Sequence, residues 1–184
     1  ATIGGGNVAM DSARTALRLG AEESMIIYRR SEEQAPAREE EIEHAREEGV
    51  DLRFLRNPTR FKGDDGWVNR VECVKTELGE PDSSGRPSPE TIEGSEFDLP
   101  VDNVIMAVGT SPHPLVPRTT DGLETGDRGT IRANQSGRTS KKGVWAGGDI
   151  VTGAATVIKA MGAGKTAAAD IHEWLANPKK SWKL

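Results

Sequence analysis

A single cysteine, Cys73, in 184 residues rules out an internal disulfide, and with no C-x-x-C the chain has no dithiol for redox chemistry. No apolar run approaches the ~20 residues that span a bilayer, so membrane insertion is set aside. Positive charge is also in deficit: Lys and Arg number 24 against 29 Asp and Glu, for a net charge of −5. The bases are interleaved with acids, which argues against a nucleic-acid partner. No secretory or transit segment precedes the first motif, and with the lone cysteine this points to a reducing cytoplasm. The three histidines, His44, His113 and His172, lie far apart and read as surface or loop residues, so no catalytic residue and no metal ligand is assigned. What remains, 35% hydrophobic and 29% charged, is the composition of a soluble globular protein, one ordinary domain or two smaller lobes.

The most informative segment comes first. Ile3-Gly4-Gly5-Gly6-Asn7-Val8-Ala9 fits G-x-G-x-x-A and runs into Met10 to Leu19 with apolar residues at helical spacing, a strand-turn-helix signature. Gly4 suits the tight turn, Gly6 admits a close backbone approach to a pyrophosphate, and small Ala9 lets the helix pack on the strand. The free N–H groups of the helix start would face the anion. Only Ala1-Thr2-Ile3 precede the glycines, fewer than the ~5–6 residues of an ordinary strand, so the sequence is expected to begin inside a strand. Glycine turns of this kind also serve methyltransferases, and the motif alone leaves the ligand open.

The next strand narrows the choice. Ser24 to Arg30 follows a Gly20-Ala21 stop and ends about 20 residues beyond the glycines, where a ribose is read. An acid there would bond the ribose hydroxyls of NAD, whereas Arg29 and Arg30 suit the 2′-phosphate of NADP. A helix is expected over Pro36 to Glu48, with Gly49 past its end and a solvated acidic face. Strands are expected over Val50 to Leu55 and around Trp67 to Val74, where Cys73 reads as a small buried hydrophobe. Gly79 to Pro100, rich in Pro, Gly, Ser and Glu, reads as an exposed loop or irregular hairpin. Val101 to Gly109 reads as a buried strand running into a glycine, with Pro112 and Pro114 marking a boundary: 1–110 and 111–184. A short strand over Gly143 to Ala146 leads into Gly147-Gly148-Asp149, and Ala154 to Ala176 has helical periodicity. Strand, glycine pair, acid and helix start together would present a hydroxyl acceptor beside free amides, although Gly-Gly-Asp is also an ordinary turn.

These stretches carry a resemblance. Gly4 to Ala16 (GGGNVAMDSARTA), Tyr28-Arg29-Arg30, Val104 to Gly109, Gly122 to Thr125, and Val144 to Gly164 (VWAGGDIVTGAATVIKAMGAG) are similar, in that order, to the second half of the NADPH-oxidising small subunit of bacterial glutamate synthases and their relatives. Those relatives include the large subunit of NADH-dependent ferredoxin:NADP oxidoreductase. The fold implied is α/β: a Rossmann-like NAD(P)-binding domain of the two-dinucleotide-binding flavoprotein type, followed by the C-terminal part of an FAD-binding domain. By this resemblance Gly4, Gly6, Asn7, Val8 and Ala9 form the pyrophosphate turn, Arg29 and Arg30 the 2′-phosphate clamp, and Gly109 lies close to the bound dinucleotide. Gly148 and Asp149 belong to the FAD ribityl site, and the Thr156-Val157 helix start faces the flavin pyrimidine edge.

The implied cofactors are NADP(H) and FAD, the FAD site being incomplete in this chain, with iron–sulfur clusters confined to a missing N-terminal region. The implied partner is an electron-accepting subunit or ferredoxin. The chain alone is expected to be inactive, with self-association covering an apolar helix face that includes Ile158, Met161 and Ile171. Two other readings stay open: a non-catalytic dinucleotide-binding module, and a disulfide-reductase relative lacking its dithiol.

Overall fold

Met25–Tyr28 (β2) is apolar at every position and buried throughout, which a strand sustains only when both faces of its sheet are covered. Its alternation sorts the run into two clusters. Met25 and Ile27 join Ile3, Val71, Cys73, Leu99 and Val101 on one side. Ile26 and Tyr28 join Met10, Ala13, Ile42, Ala45 and Val50 on the other. The structure, a computed structural model, describes residues 1–82, 85–177 and 181–183. It divides into two units, Ala1–Val108 and Gly109–Leu184.

The first unit is three-layered. A parallel sheet of order β3-β2-β1-β8 joins Asp51–Phe54 (β3), β2, Thr2–Ile3 (β1) and Ile105–Met106 (β8). Helices Asn7–Arg18 (α1) and Glu39–Glu47 (α2) supply the second cluster. Antiparallel strands Trp67–Pro81 (β5) and Phe97–Pro100 (β7) add to the first, Arg56–Asp64 (β4) pairs with β5, and Pro87–Thr91 (β6) extends β5 as a hairpin. Arg14 ties the two helices, donating to Glu41 at 2.8 Å and to Glu48 at 2.8 and 3.0 Å, and Arg18 donates to Glu48 as well. The Arg18 and Arg14 hydrogen bonds hold the Glu48 carboxyl down to about 2.

Several expectations need correction. α2 starts at Glu39, because Pro36 and Ala37 belong to a segment bonded over the glycine turn. Gly79 to Pro100 holds the irregular hairpin that is one of its two readings, β5 to β6 with a register shift, and in addition the strand β7; among the described strands β6 pairs only with β5, and such an edge tolerates Pro87 and Pro89. Val101 to Gly109 is not a buried strand. β8 is two residues at the sheet edge, and Ile105 and Met106 are exposed.

The second unit has little regular structure besides Leu115–Thr119 (α3), Asp149–Thr152 (α4) and the long helix Val157–Ala176 (α5). The strand expected over Gly143 to Ala146 is a single bridge, Arg138 to Trp145, one of three isolated bridges among the described residues. Among the described residues only Ile131 and Ala167 are buried hydrophobics, while Arg138, Thr139 and Asp170 are buried polar residues. Trp145, Trp174 and Trp182 pack against one another in edge-to-face contacts. No helix among the described residues is long and apolar enough to cross a membrane.

Candidate dinucleotide-binding site

β1 ends at Ile3, and the chain must turn sharply to start α1 over the sheet. Gly4 makes the turn at φ 140°, and a Cβ there would lie 2.3 Å from the Ala107 carbonyl oxygen. Gly5 rests on Tyr28, whose ring would meet a Cβ at 2.7 Å. Gly6 differs from both: its φ of −94° suits any residue, and the nearest atom to a Cβ would be Pro36 Cγ at 3.9 Å. Neither backbone conformation nor packing requires glycine at position 6, so the space above it is left for something other than protein. No side chain caps α1, and its first turn carries no acid. An uncapped N-terminus of a twelve-residue helix is a ready anion site.

The segment between β2 and α2 closes one side of this turn. The Tyr28 hydroxyl donates to the Gln34 carbonyl at 2.9 Å, Ala37 N–H to the Gly5 carbonyl at 3.0 Å, and Arg38 N–H to the Asn7 carboxamide oxygen at 2.9 Å. Asn7 therefore fastens this segment to the helix start. Val8 is exposed and Ala9 fully buried, as close helix-to-strand packing requires.

The structure separates the two arginines at the end of β2. Arg29 is exposed. Arg30 is 2% exposed, donating from Nη2 to Asp82 Oδ2 at 2.6 Å and from Nε to the Pro87 carbonyl at 2.8 Å. The paired clamp is corrected accordingly: in the bend that follows β2, Arg30 turns inward and docks the β5–β6 hairpin, while Arg29 faces solvent. Sequence reading missed Arg38, grouping it with the solvated charges of α2. It is the N-cap residue of α2, its side chain is 70% exposed, and its backbone is bonded to the glycine turn. The signal was an arginine just before a helix that follows the ribose-reading strand.

A cleft of about 1070 Å³ elsewhere in this unit is lined by Thr2, Thr15, Leu19, Met25 and Ile105 among others. It lies at the starts of the parallel strands. Ligands of such sheets bind beyond the carboxyl ends, where the glycine turn and Arg29 are.

In the second unit Gly148 (φ 77°) turns the chain into α4, and Gly147 and Gly148 pack so closely on α5 that Cβ atoms would fall 2.9 Å from Ala163 and 3.2 Å from Ala160. Asp149 is exposed, and its Oδ1 accepts from Ala155 N–H at 3.3 Å. That contact brings the acid beside the start of α5, where Thr156 is the N-cap and Val157, Ile158 and Met161 are exposed. An outward-facing carboxylate beside a twenty-residue helix start offers an acceptor for ligand hydroxyls and amide donors for a polar ring edge, so these residues fit the ribityl and pyrimidine portions of a flavin. A second G-x-G-x-x-A, Gly162 to Ala167, lies inside α5 and forms no turn, so spacing alone does not make a phosphate site. Gly109, at φ 85° with open space around it, begins the unit. Cys73 is fully buried in β5, and burial pushes its thiol up to about 11.

Comparison with known proteins defines the class. The pyridine nucleotide-disulphide oxidoreductase family profile matches residues 1–164, and the chain belongs to that family. Its relatives include the NADP(+)-dependent formate dehydrogenase subunit beta of Moorella thermoacetica, 47% identical over 95% of this chain, and the glutamate synthase [NADPH] small chain of Escherichia coli K12, 40% identical over 94%. The chain spans 25% and 38% of their lengths. The fold is shared with the thioredoxin reductase of T. acidophilum (TM-score 0.75, 23% identity, 94% of this chain and 51% of that one). Mycobacterium tuberculosis FprA in complex with NADPH is also similar (TM-score 0.70, 23% identity, 99% and 55%).

Proposed function

We propose that the chain is the NADP(H)-binding domain and the C-terminal FAD-domain segment of an NADPH-dependent flavoprotein oxidoreductase of the glutamate synthase small-chain type. The observation that carries this reading is the unfilled space over Gly6 at an uncapped helix start, beside a strand end bearing an exposed arginine. Residues 1–110 bind the nicotinamide dinucleotide. Gly4 and Gly5 shape the turn, Gly6 admits the pyrophosphate, and the amides of Asn7 and Val8 receive its charge. Arg29, with Arg38 in place of buried Arg30, receives the 2′-phosphate through charge-assisted bonds.

Residues 111–184 hold part of the flavin: Gly148 sets the turn, Asp149 accepts from the ribityl chain, and the Thr156-Val157 amides face the pyrimidine edge. A bound flavin supplies hydride exchange with the nicotinamide and single-electron delivery onward. Iron–sulfur clusters and the rest of the FAD site belong to other parts of the full-length protein, in line with the greater length of the relatives, and the electron-accepting partner is a separate subunit or ferredoxin. Calorimetric titration tests the assignment. NADP(H) should bind at least tenfold more tightly than NAD(H), and equal affinities would overturn it.

A further inference from the structure

The second unit buries an ion pair where its hydrophobic residues are few. Arg138 donates from Nε to Asp170 Oδ2 at 2.6 Å and from Nη2 to Oδ1 at 2.9 Å, both side chains being under a tenth exposed. Trp145 Nε1 donates to the same Oδ2 at 2.7 Å. The remaining Arg138 nitrogen donates to the Ser181 carbonyl at 2.9 Å, and its guanidinium lies 5.2 Å from the Trp182 ring. Bidentate pairing plus an indole donor fixes the Asp170 carboxylate in both position and plane.

Asp170 is also the last member of a stripe on α5. Ala160, Ala163, Ala167 and Asp170 recur at spacings of three and four, along one helix face. The alanines meet glycines: Cβ atoms at Gly148, Gly147 and Gly137 would lie 3.2, 2.9 and 3.2 Å from Ala160, Ala163 and Ala167. Contacts between methyl groups and bare backbone hold a helix close but resist sliding along its axis weakly. The directional bonds at Asp170 supply that missing restraint. They act on both parts of the flavin-facing site, because Trp145 leads in four residues to Asp149 and Asp170 sits on the helix that begins at Val157.

We infer that Arg138, Trp145 and Asp170 are positioning residues that set the axial register of α5 and thereby the spacing between the Asp149 carboxylate and the first amides of the helix. This rests on the reading of that site as part of the FAD site. The test uses the full-length protein. Asp170→Asn and Trp145→Phe should each raise the FAD dissociation constant roughly tenfold and shift the flavin absorption band and midpoint potential, with NADP(H) affinity unchanged. Arg138→Gln combined with Asp170→Asn, a neutral hydrogen-bonded pair, should recover part of the loss. Trp145→Phe removes one donor from an otherwise intact pair, so it decides the matter if Asp170→Asn fails to fold. Parent protein that carries FAD alongside folded variants with unchanged affinity, band and potential overturns this inference alone. A parent that binds no FAD overturns the reading of the site and this inference with it.

Discussion

Arg29 and Arg30 are neighbours of one residue type, and the structure assigns them opposite consequences on substitution. Arg30→Ala removes a charge-assisted bond to Asp82 worth about 1.5–3 kcal/mol and a bond to the Pro87 carbonyl worth about 1 kcal/mol. The Asp82 side chain is 32% exposed and recovers water, which puts the first figure at its lower end. Loss of the buried alkyl stem adds about 1 kcal/mol, for a total of about 3.5 kcal/mol. For a unit of this size each kcal/mol moves the midpoint by about 4–8 °C, so unfolding of the first unit should come more than roughly 10 °C earlier. Arg29→Ala, on the solvent side, should change stability by less than about 0.5 kcal/mol. It should weaken NADP(H) binding by about 1.5–3 kcal/mol, roughly 10- to 150-fold, with NAD(H) unaffected. Thermal circular dichroism and calorimetric titration of both variants give the answer. An Arg30→Ala midpoint equal to that of the parent, or parental NADP(H) affinity in Arg29→Ala, refutes the separation of roles.

The three glycines of the turn make a second set. Gly6→Val should fold normally and lose dinucleotide binding, whereas Gly4→Ala and Gly5→Ala should destabilise the fold; a binding-competent Gly6→Val would sink the pyrophosphate assignment. Glu48 has a carboxyl held below its ordinary value of 4.5, so its stabilising contribution is complete above about 4.5 and is lost as pH falls towards about 2. Acid titration of Glu48→Gln should show a shallower loss of stability over that window, and an unchanged slope counts against the α1–α2 ion pairs. Cys73 should resist alkylation at pH 8 until the first unit unfolds, as native mass spectrometry after brief labelling would show. The chain purified alone should lack stoichiometric flavin absorption, and its second unit, poor in buried hydrophobics, should unfold first.

The sequence disclosed the elements whose local chemistry is unambiguous. Gly4, Gly6 and Ala9 announce a strand-turn-helix because their spacing matches the tight turn, the open approach and the close packing it needs, and the apolar Met25 to Tyr28 run announces the next strand. It misread features decided at a distance. The prolines of β6 look like loop residues until the strand is known to lie at an edge. Ile105 and Met106 look buried because apolar character does not reveal whether a neighbour covers it. Arg30 could not be told from Arg29, because its fate depends on Asp82 and Pro87, more than fifty residues away. The Asp170 lock was invisible for the same reason, its partners being 25 and 32 residues earlier in the chain.

The tryptophans are distributed as if to report on one unit only. Trp145, Trp174 and Trp182 form a single edge-to-face cluster in the second unit, with ring centroids 4.8 to 5.9 Å apart. Trp67 stands 78% exposed at the tip of the β4–β5 hairpin in the first. An indole already in water changes its emission little on unfolding, whereas a packed cluster shifts strongly to the red when it disperses. Tryptophan fluorescence therefore follows the second unit against a constant background from the first, while far-ultraviolet dichroism sums over both. Recording the two signals through one denaturation shows whether the units melt together or apart, with no label added to the protein.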